Sequence, residues 1–457
     1  LEKYYLNEVV MKKTKIKLLF TIIISAFLFQ SLAFSQRSGY SRDEFISRRQ
    51  ALMDKVNDGM IVLFGKSMPQ EGAHIRQDND FYYFTGAEDL NAILLMAPKT
   101  GESFLFLPRK TPREEMIEGS NLLKDEQARE KTGMTEIYPL TYFDELIARS
   151  ARQFGLTFHV RLSPGDTIDN ARWETRIFTG RKNRTHYNDQ ISMDNYRIKK
   201  LKERYPVCKF EDIVPHIDRL RLIKSPEEIK IIRRNGRISA EAVKQAMLAS
   251  RPGTYEYEVE AAAMFVILRN GCRGFAYPSI VASGPNSCIW HYSENSRKLE
   301  DGDILLMDFG GELDYICMDI SRTWPINGKF TLEQRESYTI ALEVQKACIE
   351  AYRPGVTSAD VQKHVAEVMK KKGLDPRGLK GGIGHYVGMS THDVGPRGIP
   401  LEEGMVFAIE PGLYYPEKEL GIRIEDTVLI TKDGCEVLSK DVPKEIDEIE
   451  KLMARRN

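Results

Sequence analysis

The stretch that most limits what this chain can fold into is DILLMDFGGELDYICMDISRTWP, residues 303–325. Asp308 closes an apolar run from Ile304 to Met307, and Asp319 sits between Met318 and Ile320. A carboxylate in such company is costly unless it is paired or liganded. The two runs read as arms of an antiparallel hairpin. Pairing 308 with 319 puts the turn between Leu313 and Asp314, with Asp314 itself a turn residue. Residues directly opposite share a face, so both carboxylates project together. Two carboxylates held that close demand a cation or a shared proton.

Two more acids sit in similar surroundings. MVFAIEPGLYY (405–415) places Glu410 at the end of a strand stopped by Pro411 and Gly412. LGIRIEDTVLIT (420–431) alternates, so Arg423 and Glu425 share one face and Ile422 and Ile424 the other. Glutamate is disfavoured inside a strand, so its presence needs a reason. Between these segments lies GGIGHYVGMSTHDVG (381–395), with His385 and His392 seven residues apart. A helix would put both rings on one face, but four glycines in the first eight residues oppose a helix. A straight strand would send the rings to opposite faces. The pair is therefore two ligands of one metal, two residues with different jobs, or two ordinary polar residues. Asp308, Asp319, Glu410, Glu425 and one neutral histidine carry four negative charges, which balance two divalent cations. Oxygen-rich ligation with one imidazole suits Mn²⁺, and Co²⁺ or Zn²⁺ less decisively. Paired metals of this kind serve hydrolysis of peptides or esters.

The 457 residues allow two or three domains. From about Tyr40 to Leu201, MIVLFG, AILLMAP and ESFLFLP read as buried strands. SRDEFISRRQALMDKV and TPREEMIEGSNLLKDEQAREKTG read as amphipathic helices, giving an α/β domain over 40–201. The polar stretch GRKNRTHYNDQISMDNYRIKKLKERYP is a connector or that domain's last helix. A second domain, 215–457, opens with a helix capped by Ser225, Pro226 and Glu228. In it a helix pair followed by strands occurs twice, and Arg-Pro-Gly precedes a glycine-terminated helix at 251 and again at 353. Two related halves around a shared sheet follow from that order, an α+β arrangement.

Lys+Arg and Asp+Glu both number 66, so charge points to neither nucleic acid nor anionic lipid. Near the N-terminus, Lys12, Lys13, Lys15 and Lys17 precede the apolar run Leu18 to Phe29, and Ala33-Phe34-Ser35 is a small-x-small cleavage signal. Residues 1–35 thus read as leader and signal peptide, with Met11 as the true start. The run falls short of the roughly 20 residues a spanning helix needs, so no membrane anchor is expected after cleavage. Removing 1–35 takes five lysines and two glutamates, leaving 61 basic against 64 acidic residues, or −3. The expectation is a periplasmic or secreted protein. Six cysteines without CxxC spacing leave disulfide pairing open, although Cys317 and Cys348 read as buried thiols.

The ordered motifs HYSEN, DFGGELDYICMDISRTWP, GHYVGMSTHDVG, IEPGLYY and GIRIED resemble the aminopeptidase P and prolidase branch of the pita-bread metallopeptidases. RRQALMDKVNDGMIVLFG and RQDNDFYYFTG resemble that branch's N-terminal domain, so the likeness spans nearly the whole mature chain. It implies an α/β N-terminal domain followed by a pita-bread catalytic domain with two pseudo-symmetric halves. Asp308, Asp319, His385, Glu410 and Glu425 would ligate two metals, with Asp319 and Glu425 bridging. Glu410 would also pass a proton from the attacking water to the leaving nitrogen. His291 and His392 would hold the scissile carbonyl, Arg423 would order the ligands, and Tyr277 and Tyr414 would shape the substrate pocket. Relatives usually carry a further histidine where this chain has Gly381, which bears on the proline subsite. The likeness further implies a homo-oligomer, dimer or tetramer, whose N-terminal domain restricts access. The activity implied is release of an N-terminal residue that precedes proline. A prolidase acting on Xaa-Pro dipeptides and a non-catalytic peptide-binding relative are the rival readings. A methionine aminopeptidase would not need the long N-terminal domain.

Overall fold

The computed structural model describes residues 39–67, 76–163, 165–172, 174–177, 191–376, 379 and 383–456. The leader at 1–35 with Met11, and also His74, His186 and Gly381, lie outside them. Among the described residues no helix is long and apolar enough to cross a membrane.

The three apolar runs expected as strands form the middle of a six-stranded mixed sheet. Its order is Glu136–Pro139, Glu102–Leu107, Ile93–Ala97, Met60–Phe64, Thr157–Val160, Lys209–Asp212. Each central strand is apolar on both sides because each side is covered. Ile61, Leu63, Leu94, Met96, Leu105 and Leu107 pack with Phe45, Leu52 and Phe81 on one face. Met60, Val62, Leu95, Ala97, Phe104 and Phe106 pack with Phe143, Ile147, Ile198 and Leu201 on the other. The sheet runs past the sequence boundary at 201, since Lys209–Asp212 pairs in parallel with Thr157–Val160. The expected long helix from 111 is also shorter. Pro112–Glu118 is closed by a Thr111–Glu114 capping box at one end and Gly119 at the other; a 3-10 turn, Leu122–Lys124, follows, and α-helix resumes only at Ala128–Thr132. No residue of Pro112–Glu118 is buried, so no core contact carries it through the glycine.

The second domain shows the doubled order. Pro226–Ala249 and Glu256–Arg269 precede one set of short strands, and Leu332–Ala351 and Ser358–Lys371 precede another. The Ser225–Glu228 capping box with Pro226 is formed as read. Both Arg-Pro-Gly motifs end in a left-handed glycine (Gly253 φ 96°, Gly355 φ 85°), and a 14-residue helix follows each. The halves meet edge to edge. Glu425 N–H donates to the Ser321 carbonyl at 3.0 Å, Arg423 N–H to Thr323 Oγ1 at 3.2 Å, and Thr427 Oγ1 to the Asp319 carbonyl at 2.6 Å. That seam brings the acidic residues of separate halves together. Cys317 and Cys348 are buried and unbridged.

A buried charge cluster joins the two domains. Asp80, fully buried on the helix Asn79–Thr85, accepts from Arg161 at 2.8 Å, Arg172 at 2.6 Å and Arg221 at 2.9 Å. Arg221 continues to Asp393 at 2.6 Å, beside His392. Burial alone would raise the Asp80 carboxyl, but the three guanidiniums outweigh it and hold it well below its usual value. A depressed carboxylate stabilises above its unfolded pKa, near 3.9, and that contribution is lost as pH falls through the folded value. Asp80→Asn is therefore expected to cost about 3–5 kcal/mol at pH 7, the range for breaking a buried ion pair. In denaturant titrations the gap to the parent protein should shrink only below pH 4.

Candidate metal centre

The first-half acids come together by a different register from the one expected. Ile304–Asp308 pairs with Ser321–Pro325, with Asp308 opposite Ser321, and the turn falls at Asp314–Tyr315. Asp319 is thus a diagonal neighbour of Asp308, two residues off. An even shift keeps a side chain on its face, so the carboxylates still converge. Tyr277 marks the convergence, its hydroxyl 2.6 Å from Asp308 Oδ1 and 2.5 Å from Asp319 Oδ1. One hydroxyl has one proton, so these three oxygens hold more acceptor than donor.

The second half supplies the rest. Arg423 Nη2 donates to Asp308 Oδ2 at 2.5 Å, Nε to Ser321 Oγ at 2.8 Å, and Nη1 to Tyr414 Oη at 2.9 Å. Ser321 Oγ donates in turn to Glu425 Oε2 at 2.6 Å. Arg423 and Glu425 meet on one hydroxyl, as their shared face required. His385, on the strand Gly384–Tyr386, has Nδ1 3.0 Å from its neighbour's carbonyl. That contact makes Nδ1 the donor and leaves Nε2 toward the acids, 3.3 Å from Asp319 Oδ2 and 3.6 Å from Glu410 Oε1.

The set fits divalent cations on the structure's own terms. Glu425 Oε1 is buried with no hydrogen-bond partner. Asp319, His385 and Glu425 each offer a ligand atom within 4.8 Å of the others. Burial and the Asp308 charge push the Asp319 carboxyl up to about 6. Burial and the Asp319 and Asp308 charges raise Glu425 well above the ordinary carboxylate range. Burial would lower His385, but Asp319 and Glu410 pull it up to about 9. Each of these shifts favours the protonated form, and bound cations would relieve the same repulsion.

All five sit beside one cavity of about 520 Å³, whose lining includes Asp308, Asp319, His385, Glu410, Arg423 and Tyr277 together with His291 and His392. Glu425 lies behind that wall, fully buried. Larger cavities of about 900 and 1000 Å³ open elsewhere but contain none of these acids. Tyr414 stands behind Arg423, against Trp290 at 5.7 Å, and supports the guanidinium from outside the cavity lining. The two histidines do not point apart. Their rings stack at 3.8 Å, because the chain folds back after Tyr386, with Asp393 N–H donating to the Tyr386 carbonyl at 2.9 Å. Sequence reading missed Ser321 and Glu174. The first was available, two residues past Asp319 on a strand; the second lies 218 positions from His392 and has no local signal.

Residues 230–432 match metallopeptidase family M24, and residues 45–155 match the aminopeptidase P N-terminal domain. An Xaa-Pro aminopeptidase of Escherichia coli K12 is 35% identical over 91% of this chain and 98% of its own. The chain belongs to metallopeptidase family M24. An Xaa-Pro aminopeptidase of Haemophilus influenzae is 32% identical over 90% of this chain and 97% of its own. The fold of this M24 chain matches a solved aminopeptidase P from Bacillus anthracis, described as putative, with a TM-score of 0.80. That match is at 30% identity and covers 92% and 99% of the two chains. A zinc-substituted aminopeptidase P of E. coli in complex with product matches with a TM-score of 0.76 at 31% identity, again covering 92% and 99%.

Proposed function

We propose that this M24 metallopeptidase is an exported Xaa-Pro aminopeptidase using two divalent metal ions, manganese first and cobalt or zinc next. The observation that carries the reading is the convergence of four carboxylates and one imidazole beside a single cavity, with a buried Glu425 oxygen left unpartnered. Asp308, Asp319, His385, Glu410 and Glu425 would hold the metals, which when bound acidify water and polarise a carbonyl.

The chain's own residues do the rest. Among the carboxylates Glu410 is the most open, 28% exposed against 12% for Asp308 and 5% for Asp319. It is the one free to take a proton from water and return it. A bond to proline is a tertiary amide, so its nitrogen leaves only after protonation, and Glu410 is placed to deliver that proton. His291 and His392 line the same cavity, where they would orient the scissile carbonyl. Arg423 holds Asp308 in place through its Nη2 bond to Oδ2.

Export rests on the Lys12–Lys17 basic run, the apolar Leu18–Phe29 and the Ala33-Phe34-Ser35 signal. The E. coli relative's zinc form supports tolerance for more than one metal. Assembly as a dimer or tetramer is supported by Met116 and Ile117, 85% and 71% exposed on a helix with nothing buried. An aminopeptidase should cleave Ala-Pro-Ala with kcat/KM at least about tenfold above Ala-Pro. Preference for the dipeptide would make it a prolidase instead.

A further inference from the structure

The loop carrying His392 is held by the N-terminal domain. Thr391 N–H donates to the Ile168 carbonyl at 2.9 Å and His392 N–H to the Asp169 carbonyl at 3.0 Å. Ala171 N–H returns a bond to the His392 carbonyl at 2.8 Å. Asn170 and His392 therefore form a parallel β-bridge across the domain boundary. Asn79 adds a side-chain bond to Ser390 Oγ at 3.0 Å. Backbone contacts fix where the loop runs but leave the imidazole free to turn.

The ring is restrained by other contacts. One face lies against His385 at 3.8 Å. Its Nδ1 is buried and has no aligned hydrogen-bond partner. The carboxylate oxygen Glu174 Oε2 stands 2.8 Å from that nitrogen, close enough that a small rotation completes the bond. Burial would raise the Glu174 carboxyl, but His392 holds it below its usual value. Residues 174–177 are helical and begin four positions after the bridge residue Asn170, so the chain that positions the loop also delivers the carboxylate. A carboxylate on one imidazole nitrogen fixes which nitrogen carries the proton and where the other points.

We infer that Glu174 is a positioning residue for His392, its carboxylate holding the Nδ1–H form so that Nε2 is presented to the cavity. The N-terminal domain then completes the substrate side of the site and does more than restrict entry to it. The inference rests on the peptidase reading for the work His392 does, but the placement of the ring can be tested without it.

The test uses the full metal-loaded chain on Ala-Pro-Ala. Glu174→Ala should lower kcat by about ten- to a hundredfold, the range for groups that orient a working imidazole, with KM changed less than about twofold. Glu174→Gln keeps an acceptor of the same length and should lose less. In a His392→Ala background Glu174→Ala should have no further effect. Separately, ¹⁵N NMR of the histidine side chains should show His392 as the Nδ1–H tautomer in the parent protein and a loss of that preference in Glu174→Ala. Unchanged kcat in Glu174→Ala, or a full loss persisting beside His392→Ala, would overturn the inference. So would a raised KM at constant kcat, which would make Glu174 a ligand of the substrate amine. If the parent protein cleaves no Xaa-Pro peptide, the peptidase reading fails and the NMR comparison alone decides on Glu174.

Discussion

Glu410→Ala is expected to leave no measurable turnover of an Xaa-Pro peptide, and Glu410→Gln to lower kcat by about a thousandfold, within the range for a general acid–base group. The glutamine variant is the more informative. It keeps the length and one oxygen donor of Glu410, so metal content should survive, but an amide cannot take up and return a proton. Glu410 is the acid whose exposure allows proton exchange with the cavity, since Asp308 is tied to Arg423 and Tyr277 and Glu425 is sealed behind Ser321. The loss should appear in kcat and kcat/KM alike, because the proton transfer occurs only on the way to the transition state. Glu410→Gln activity within tenfold of the parent would remove Glu410 from the proton path.

Asp319→Ala should fail to hold a full metal complement, and with it lose activity. The structure adds an opposite effect in the metal-free protein. Asp319 is buried beside Asp308, and its carboxyl is pushed up to about 6. A carboxyl raised on folding destabilises the fold progressively as pH rises from its unfolded value, near 3.9, through 6. With chelator at pH 7, Asp319→Asn, which removes the charge and keeps the shape, should therefore melt at or above the parent temperature. With manganese the order should reverse, because the parent gains binding free energy the variant lacks, about 2.7 kcal/mol at a hundred times Kd. Thermal melts in the two buffers check this. An Asp319→Asn protein less stable than the parent in chelator would mean that Asp319 serves the fold and not the metals.

Much of this was legible because burial leaves a signature in sequence. The central strands of the N-terminal sheet read as apolar runs because helices cover both faces. Asp308, Asp319 and Glu425 stood out because an acid in such a run needs a partner. The hairpin register was not legible. Its turn residues Asp314 and Tyr315 both take left-handed conformations, φ 48° and 68°, where sequence signals would call for glycine or asparagine. Tyr315 is held there from another domain, stacked on Tyr82 at 3.5 Å with Arg76 over its ring at 4.7 Å. A tertiary contact overrode turn propensity. The stacked pair His385 and His392 was hidden for a related reason, since the period-two rule assumes a straight strand and this chain turns at residues 388–390. Glu174 reaches His392 only through the docking of two domains, and periodicity carries no trace of that.

The central claim is that the carboxylate–imidazole set holds metals that hydrolyse the bond before proline. The most direct measurement compares initial rates on Ala-Pro-Ala and Ala-Ala-Ala, with the chain stripped of metal and then titrated with Mn²⁺. The stripped chain should cleave neither peptide, activity should rise with metal to saturation near two ions per chain, and the proline peptide should be cleaved faster by about tenfold or more. Full activity without metal, or equal rates on the two peptides at saturation, would contradict it.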